Sequence, residues 1–446
     1  MPKYAKEEIL ALCEKQGVSF ISLQFSDLLG QLKSIDIPVQ QLANAIDSNV
    51  WFDGSSIEGF ARISESDMYL KLDLNTFAIL PWTKTGDGHI TARFICDVFK
   101  PSGEPYESDP RHILKKQIAK ARELGYNYFV GPELEFFLIK QENGNSVALP
   151  HDKAGYFDNV IDAATEVRKE MTLALLDLGI EVEALHHEVA PGQHEIDFRY
   201  NDPLTTADNA MTLKLALKMI AQKHGLRATF MPKPFFGING SGMHVHQSFF
   251  ADARNVFYDE NDQYGLSEIA KRFMAGQFKH IKAMNAILNP LVNSYKRLVA
   301  GYEAPVYISW GQTNRSALIR IPRINPARPN ATRIELRCPD PAANPYLAFA
   351  VMLASGIDGI KNGLGLPMPV EESVYELTNE QMLNRGIETL PADLYGAMRA
   401  LFKDQLVRDV LGEETFKKYY EIKMQEWDEF RIRVTDWEKD KYLGMY

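Results

Sequence analysis

The sequence predicts an α+β protein in two unequal parts, a small strand-rich N-terminal domain and a large domain in which helices alternate with strands. Three observations carry this expectation. The chain has 446 residues, too many for one small core. Residues 19–98 break into short alternating runs separated by turn residues. Beyond Asp109-Pro110 the apolar period changes to that of helices, with strand patterns between them.

In chain order, residues 4–16 read as a short helix, and strands are expected at 19–25, 31–37, 76–81 and 93–98. Pro101-Ser-Gly-Glu-Pro105 reads as a linker. Asp109 can cap, and Pro110 can open, a helix of about 15 residues. Helical periodicity recurs at 158–178, 205–224, 267–288, 344–362 and 391–411. Residues 413–446 read as a charged helix with an apolar stripe of Trp427, Phe430, Val434 and Trp437. That stripe can pack on its own domain or dock into a neighbouring subunit.

Composition excludes several classes. Hydrophobic content of 45 % and charged content of 24 % suit a soluble globular enzyme. A net charge of −10, with no basic block, argues against a nucleic-acid partner. No apolar run reaches the roughly 18–20 residues of a membrane span, and the N-terminus lacks the apolar core of a signal peptide. Cys13, Cys96 and Cys338 are far apart, which fits a reducing cytoplasm and small buried side chains.

The chemistry lies in four strand patterns with one polar face each. Glu133 and Glu135 alternate with Leu134, Phe136 and Leu138. Glu195, Asp197 and Arg199 alternate with Ile196 and Phe198; His244, His246 and Ser248 align; so do Arg333, Glu335 and Arg337. Ordinary solvated faces are rich in Lys and Thr, whereas these carry Glu, His and Arg. Paired carboxylates repel, and a cation relieves them. Carboxylates with one or two imidazoles and no thiolate suit Mg²⁺ or Mn²⁺. Glu133, Glu135, Glu188, Glu195, His244 and Glu335 are enough ligands for two ions. Arg297, Arg315, Arg320, Arg333 and Arg337 fall within about forty residues, and guanidinium forks match phosphate oxygens. Two hard ions near arginines point to phosphoryl transfer. The glycines of Phe236-Gly-Ile-Asn-Gly-Ser-Gly-Met-His244 allow close backbone approach but form no dinucleotide fingerprint, since a strand follows them. By spacing alone, Asp53-Gly-Ser-Ser56 is a turn.

A set of ordered motifs then resembles the glutamine synthetase family. They are Phe52-Asp-Gly-Ser-Ser-Ile-Glu-Gly59, Pro132-Glu-Leu-Glu-Phe-Phe137, His187-Glu-Val-Ala-Pro-Gly-Gln-His-Glu195, Lys233-Pro234 through Asn239-Gly-Ser-Gly-Met-His244, Asn293-Ser-Tyr-Lys-Arg297, Gly301-Tyr-Glu-Ala-Pro305, Asn314-Arg-Ser316 and Asp340-Pro-Ala-Ala-Asn-Pro345. Length and the Arg62 context are similar to the short bacterial type I subclass. The resemblance implies a β-grasp-like domain over residues 1–104 and a catalytic domain over 105–446, with a mainly antiparallel sheet flanked by helices and a helical tail. It implies ATP-dependent joining of glutamate and ammonium in a cytoplasmic homododecamer of two hexameric rings, and a nitrogen-response transcription factor as a candidate partner. The alternative within the family is a ligase joining glutamate to a larger amine or polyamine.

Residue by residue, the resemblance assigns Glu135, Glu188 and Glu195 to one Mg²⁺ or Mn²⁺ and Glu133, His244 and Glu335 to a second. Asn239, Gly240, Arg297, Glu303 and Arg337 would surround glutamate; Glu183, His246, Ser248 and Arg333 would surround ATP. Arg315 and Arg320 would stabilise the transferring phosphoryl group. Asp53 of the adjacent subunit would bind ammonium, Glu303 would sit on a closing flap, and Arg62 would sense the product glutamine. Three features depart from the common pattern: the Pro- and Arg-rich stretch 322–332, Leu134 where proline is common, and Tyr375, whose flanks do not suit adenylylation.

Overall fold

The computed structural model describes residues 4–57, 67–84, 88–142, 145–314, 316–372, 374 and 377–446. Arg62, Arg315 and Tyr375 lie outside these residues. Five N-terminal strands, β1 (Val18–Ser26), β2 (Leu32–Pro38), β3 (Val50–Asp53), β4 (Asp67–Ile79) and β5 (Ile90–Phe99), form one sheet in the order β2-β1-β5-β4-β3. The β1–β5 pairing is parallel and the others antiparallel. Sequence patterning missed β3 and saw only the end of β4. Edge strand β3 is four residues long and ends in the Asp53 turn, too short for a period to emerge.

The second sheet contains β6 (Asn127–Glu142), β7 (Asn145–Pro150), β8 (Val182–His187), β9 (Gln193–Phe198), β10 (Leu226–Thr229), β11 (Met243–Ala251), β12 (Arg254–Asn255), β13 (Tyr307–Gly311), β14 (Ala317–Arg320) and β15 (Ile334–Leu336). Its main order is β13-β14-β15-β11-β6-β9-β8. Among the described residues, only the β13–β14 pairing of this sheet is parallel. Helices cover its apolar face. Leu134, Phe136 and Leu138 of β6 are buried in the same core as the helices Glu268–Leu288 and Pro345–Lys361. Those two helices touch through glycines: a Cβ on Gly276 would sit 2.0 Å from the Ser355 carbonyl oxygen.

Local chemistry explains where helices start and stop. Asp109 caps Pro110–Glu123 by accepting from Arg111 N at 3.0 Å, as expected. The helix expected from 158 begins only at Thr165, because the Asp158 and Asp162 carboxylates bind backbone N–H groups of turns instead. The expected helix 391–411 is two, Leu394–Lys403 and Gln405–Leu411. Asp404 between them is extended, caps the second helix and holds His280 Nδ1 at 2.7 Å. The tail likewise divides into Glu413–Arg431 and Asp436–Tyr442, with Thr435 and Glu438 forming a new capping box. The apolar stripe is split by that break. Trp427 packs on the main core and stacks on Tyr395, whereas Trp437 is 62 % exposed.

Arg111 ties the small sheet to the helical layer. Its guanidinium bonds Asp73 of β4 and Asp97 of β5 at 2.7 Å, and Asp208 of the helix Pro203–Lys223 at 2.9 and 3.0 Å. Tyr346 donates to the same Asp208 at 2.7 Å. Burial opposes the charge, and the surrounding carboxylates outweigh it, holding Arg111 firmly protonated. Arg111→Met strips the guanidinium from Asp73, Asp97 and Asp208, although Asp97 keeps Lys115 at 2.6 Å. It should cost about 3–5 kcal/mol of stability in denaturant unfolding, and a loss below about 1 kcal/mol would contradict this role.

Candidate active site

Strand register brings the predicted polar faces together. His246 lies opposite Glu335 between β11 and β15, and His244 opposite Glu133 between β11 and β6. Glu135 lies opposite Glu195 between β6 and β9, and Glu195 opposite His186 between β9 and β8. One face of five adjacent strands, β15-β11-β6-β9-β8, therefore carries a continuous row of carboxylates and imidazoles. Arg199 does not join it. It stands beyond the end of β9, exposed and paired with Glu181 at 3.0 Å.

Two clusters form along the row. In the first, ligand atoms of Glu133, His244 and Glu335 lie within 4.8 Å of one another. His246 Nε2 is 2.7 Å from Glu133, and Arg320 and Arg337 contact Glu335 at 2.5 and 3.1 Å. Burial opposes ionisation of Glu133, but bonds from His244 and His246 hold its carboxyl well below the usual range. Burial likewise opposes the Glu335 charge, and His246, His244, Arg337 and Arg320 outweigh it.

The second cluster is His186, Glu188 and Glu195, again within 4.8 Å. Here the pairing side chain among the described residues is His186, at 3.6 Å from Glu188 and 3.4 Å from Glu195. Burial, then Glu135, pushes the Glu188 carboxyl up to about 8. Burial, then Asp197, Glu135 and Glu133, raises Glu195 strongly, and burial with Glu133 raises Asp197 to about 7. Glu135 joins the row through Gln193 Nε2 and Gly242 N, each donating to it at 2.9 Å. Half-buried and buried oxygen ligands in mutual repulsion, with one imidazole per cluster, suit hard divalent cations. Sequence reading missed His186 and Gln193. The Pro191-Gly192 turn between β8 and β9 was the available signal, since it sets the register that puts His186 opposite Glu195.

The remaining predicted residues surround this row. A cleft of about 700 Å³ is lined by Glu183, His246, Ser248 and Arg333, and also by residues 327–332 of the Pro- and Arg-rich stretch. That stretch is anchored rather than loose: Asn255 Nδ2 donates to the carbonyls of Asn330 and Thr332 at 3.0 and 2.6 Å. Arg333 Nε donates to His246 Nδ1 at 3.3 Å. Arg297 is buried and donates to the carbonyls of Cys338, Pro339 and Arg337 at 2.8, 3.2 and 3.2 Å. A Cβ on Gly242 would lie 2.5 Å from its Nη2, and one on Gly240 would lie 2.3 Å from the Pro232 carbonyl. Asn239 Nδ2 reaches Glu303 Oε2 at 3.4 Å, and Glu303 takes a left-handed φ of 58°. Asp53 is not brought to the row within one chain. It is exposed at the edge of the small sheet, where its carboxylate accepts from Ser55 N at 2.8 Å.

Comparison with known proteins gives a consistent pattern. The family described as glutamine synthetase, beta-Grasp domain, matches residues 17–101, and that described as glutamine synthetase, catalytic domain, matches residues 107–442. The chain is 54 % identical to a glutamine synthetase of Clostridium saccharobutylicum over the whole of both chains. It is 52 % identical to that of Thermotoga maritima over 98 % of this chain and 99 % of that one. Among solved structures, a GmaS/ADP complex aligns with TM-score 0.86 at 32 % identity, covering 98 % of this chain and 99 % of that one. A cryo-EM structure of Plasmodium falciparum glutamine synthetase aligns with TM-score 0.89 at 27 % identity, covering 99 % of both.

The raised carboxyls have a direct consequence for metal binding. A cation held between Glu188 and Glu195 would have to displace their protons, so its affinity should rise with pH between about 6 and 8, tenfold per unit for each proton displaced. Calorimetric Mn²⁺ titrations in buffers of different ionisation enthalpy should register that proton release near pH 7. An affinity independent of pH would contradict the crowding.

Proposed function

The chain belongs to the glutamine synthetase family, and from that premise we infer how its two carboxylate clusters serve the ATP-dependent joining of glutamate and ammonia. It is a glutamate–ammonia ligase, forming glutamine with release of ADP and phosphate. The observation that carries the site assignment is the row of crowded carboxylates, half-buried or buried, running into a cleft lined by Arg333, His246 and Ser248. No helix of the described residues is long and apolar enough to cross a membrane.

The two clusters fit hard cations, so Glu133, His244 and Glu335 would hold one Mg²⁺ or Mn²⁺, and Glu188 and Glu195 with Glu135 another. When bound, the ions supply positive charge to the nucleotide phosphates and to the phosphoryl group in transfer. Glu183, His246, Ser248 and Arg333 take the nucleotide in the cleft, a reading supported by the ADP complex of a structural relative. Asn239, Gly240, Arg297, Glu303 and Arg337 take glutamate. Arg297 spends both terminal nitrogens on main-chain carbonyls, so it also fixes the strand end that carries Arg337.

The γ-carboxylate of glutamate is a poor electrophile, and phosphorylation by ATP activates it. Arg315 and Arg320 neutralise charge on the transferring group. The resulting acyl phosphate must be kept from water, which gives the Glu303 segment its purpose as a flap. Ammonium becomes nucleophilic only after losing a proton. Glu303 and Asp53 of an adjacent subunit provide an anionic pocket that binds the cation and accepts that proton. Because Asp53 stands apart from the row in its own chain, the site is completed by assembly, and exposed Trp51, Leu173 and Trp437 offer apolar contact surface for it. We take the assembly to be a cytoplasmic dodecamer of two hexameric rings, the domains to divide at residues 104 and 105, Arg62 to sense glutamine, and a nitrogen-response transcription factor to be a candidate partner.

Asp53→Ala should lower turnover with ammonium at least about 100-fold while ATP affinity stays within a few-fold, measured by phosphate release and nucleotide titration. Collapse of nucleotide affinity instead would remove Asp53 from the ammonium pocket. Glu335→Ala should weaken Mn²⁺ and ATP binding together. Glutamate-dependent phosphate release should prefer ammonium over ethylamine or putrescine; the reverse preference would place the chain with the amine ligases.

A further inference from the structure

Beside the two clusters lies a third group, Asp152, His187 and His194, whose ligand atoms also fall within 4.8 Å of one another. Hydrogen-bond directions argue against it as a metal centre. His187 Nδ1 faces the Glu188 carbonyl at 2.7 Å, and Nε2 faces Asp152 Oδ1 at 2.9 Å. Both partners are acceptors, so both ring nitrogens carry hydrogens. Arg168 Nη1 lies 2.9 Å from His194 Nδ1, and a guanidinium can only donate. The His194 hydrogen is therefore on Nε2, which is buried and has no hydrogen-bond partner. Neither ring keeps a lone pair for a cation.

The group does something else. The side chains of Asp152 and His187 are 4 % and 0 % exposed. Besides His187, Asp152 Oδ1 accepts from Gly192 N at 2.9 Å and Ala154 N at 3.3 Å, and Oδ2 accepts from Ala163 N at 3.3 Å. Gly192, at φ 69°, forms the turn between β8 and β9, and a Cβ there would lie 2.9 Å from His151 N. His187 and His194 face each other across that hairpin with rings edge-on at 4.7 Å. Their chain neighbours Glu188 and Glu195 point to the other face and form the second cluster. One buried carboxylate thus grips the turn, one strand and the incoming loop of the hairpin that carries both carboxylates.

We propose that Asp152 is a positioning residue: its bonds to His187 and Gly192 clamp the β8–β9 hairpin so that Glu188 and Glu195 stand close enough to share one divalent cation. The proposal rests on the metal reading given above. A clamp of this kind acts on one ion and not on the other, because Glu133, His244 and Glu335 stand on β6, β11 and β15. A residue needed only for folding would not discriminate between them.

Mn²⁺ titration of the assembled enzyme, followed by electron paramagnetic resonance, separates these cases. The native protein should bind two ions per subunit. Asp152→Ala strips the partner from His187 Nε2–H and Gly192 N–H, and should weaken one class of ion about 10-fold or more while the other stays within about twofold. Asp152→Asn keeps an oxygen acceptor and should recover most of the loss. Equal weakening of both classes, or none, overturns the clamp. If Asp152→Ala does not assemble, His187→Gln is read by the same two criteria. A native protein that binds no Mn²⁺ brings down the metal reading itself, and the clamp with it.

Discussion

Crowding of carboxylates on one sheet face is the constraint on which this structure turns. Glu133, Glu135, Glu188, Glu195 and Asp197 share that face, Glu195 buried and the others half-buried. Crowded like charges with so little water about them are poorly relieved by solvent, and a proton, a cationic side chain or a bound cation must do it. The two ends of the row solve this differently. Glu133 and Glu335 are balanced by His246, Arg320 and Arg337. Among the described residues, the ring that pairs with Glu188 and Glu195 is His186, and crowding by other carboxylates favours their protonated forms. The two halves are electrostatically unlike, and the second has the greater need of an ion.

Holding such a row together requires a rigid frame. Antiparallel register sets the spacing between strands, and the tight turn at Gly192 fixes the phase of the outermost hairpin. Gly240 and Gly242 let the loop before β11 lie against Arg297, whose bonds to main-chain carbonyls anchor the stretch after β15. Further out, Arg111 fastens the small sheet to the helical layer. Asp53 depends on that attachment, since it stands on the outer edge of that sheet. A residue that serves a neighbour's site must be held in place by its own domain.

Period-two patterning made the polar strands legible because each has one buried apolar face, as Leu134, Phe136 and Leu138 show on β6. It could not see His186, whose role depends on which residue lies across the hairpin. Helix boundaries were misread where aspartates bind backbone N–H groups: Asp158 and Asp162 delay a helix, and Asp404 breaks one. The division of ligands between two ions was not in the pattern at all. It came from the ordered family motifs, and the geometry brings Glu133 to His244 and Glu335, and Glu188 to Glu195. Asp53 read as a turn residue, and its surroundings in a single chain still look like one.

The most direct test is to locate Mn²⁺ by anomalous scattering in crystals of the assembled enzyme. Two peaks per subunit are expected, one bounded by Glu133, His244 and Glu335 and one by Glu188 and Glu195. A single peak, or density at Asp152, His187 and His194 instead, would contradict the account.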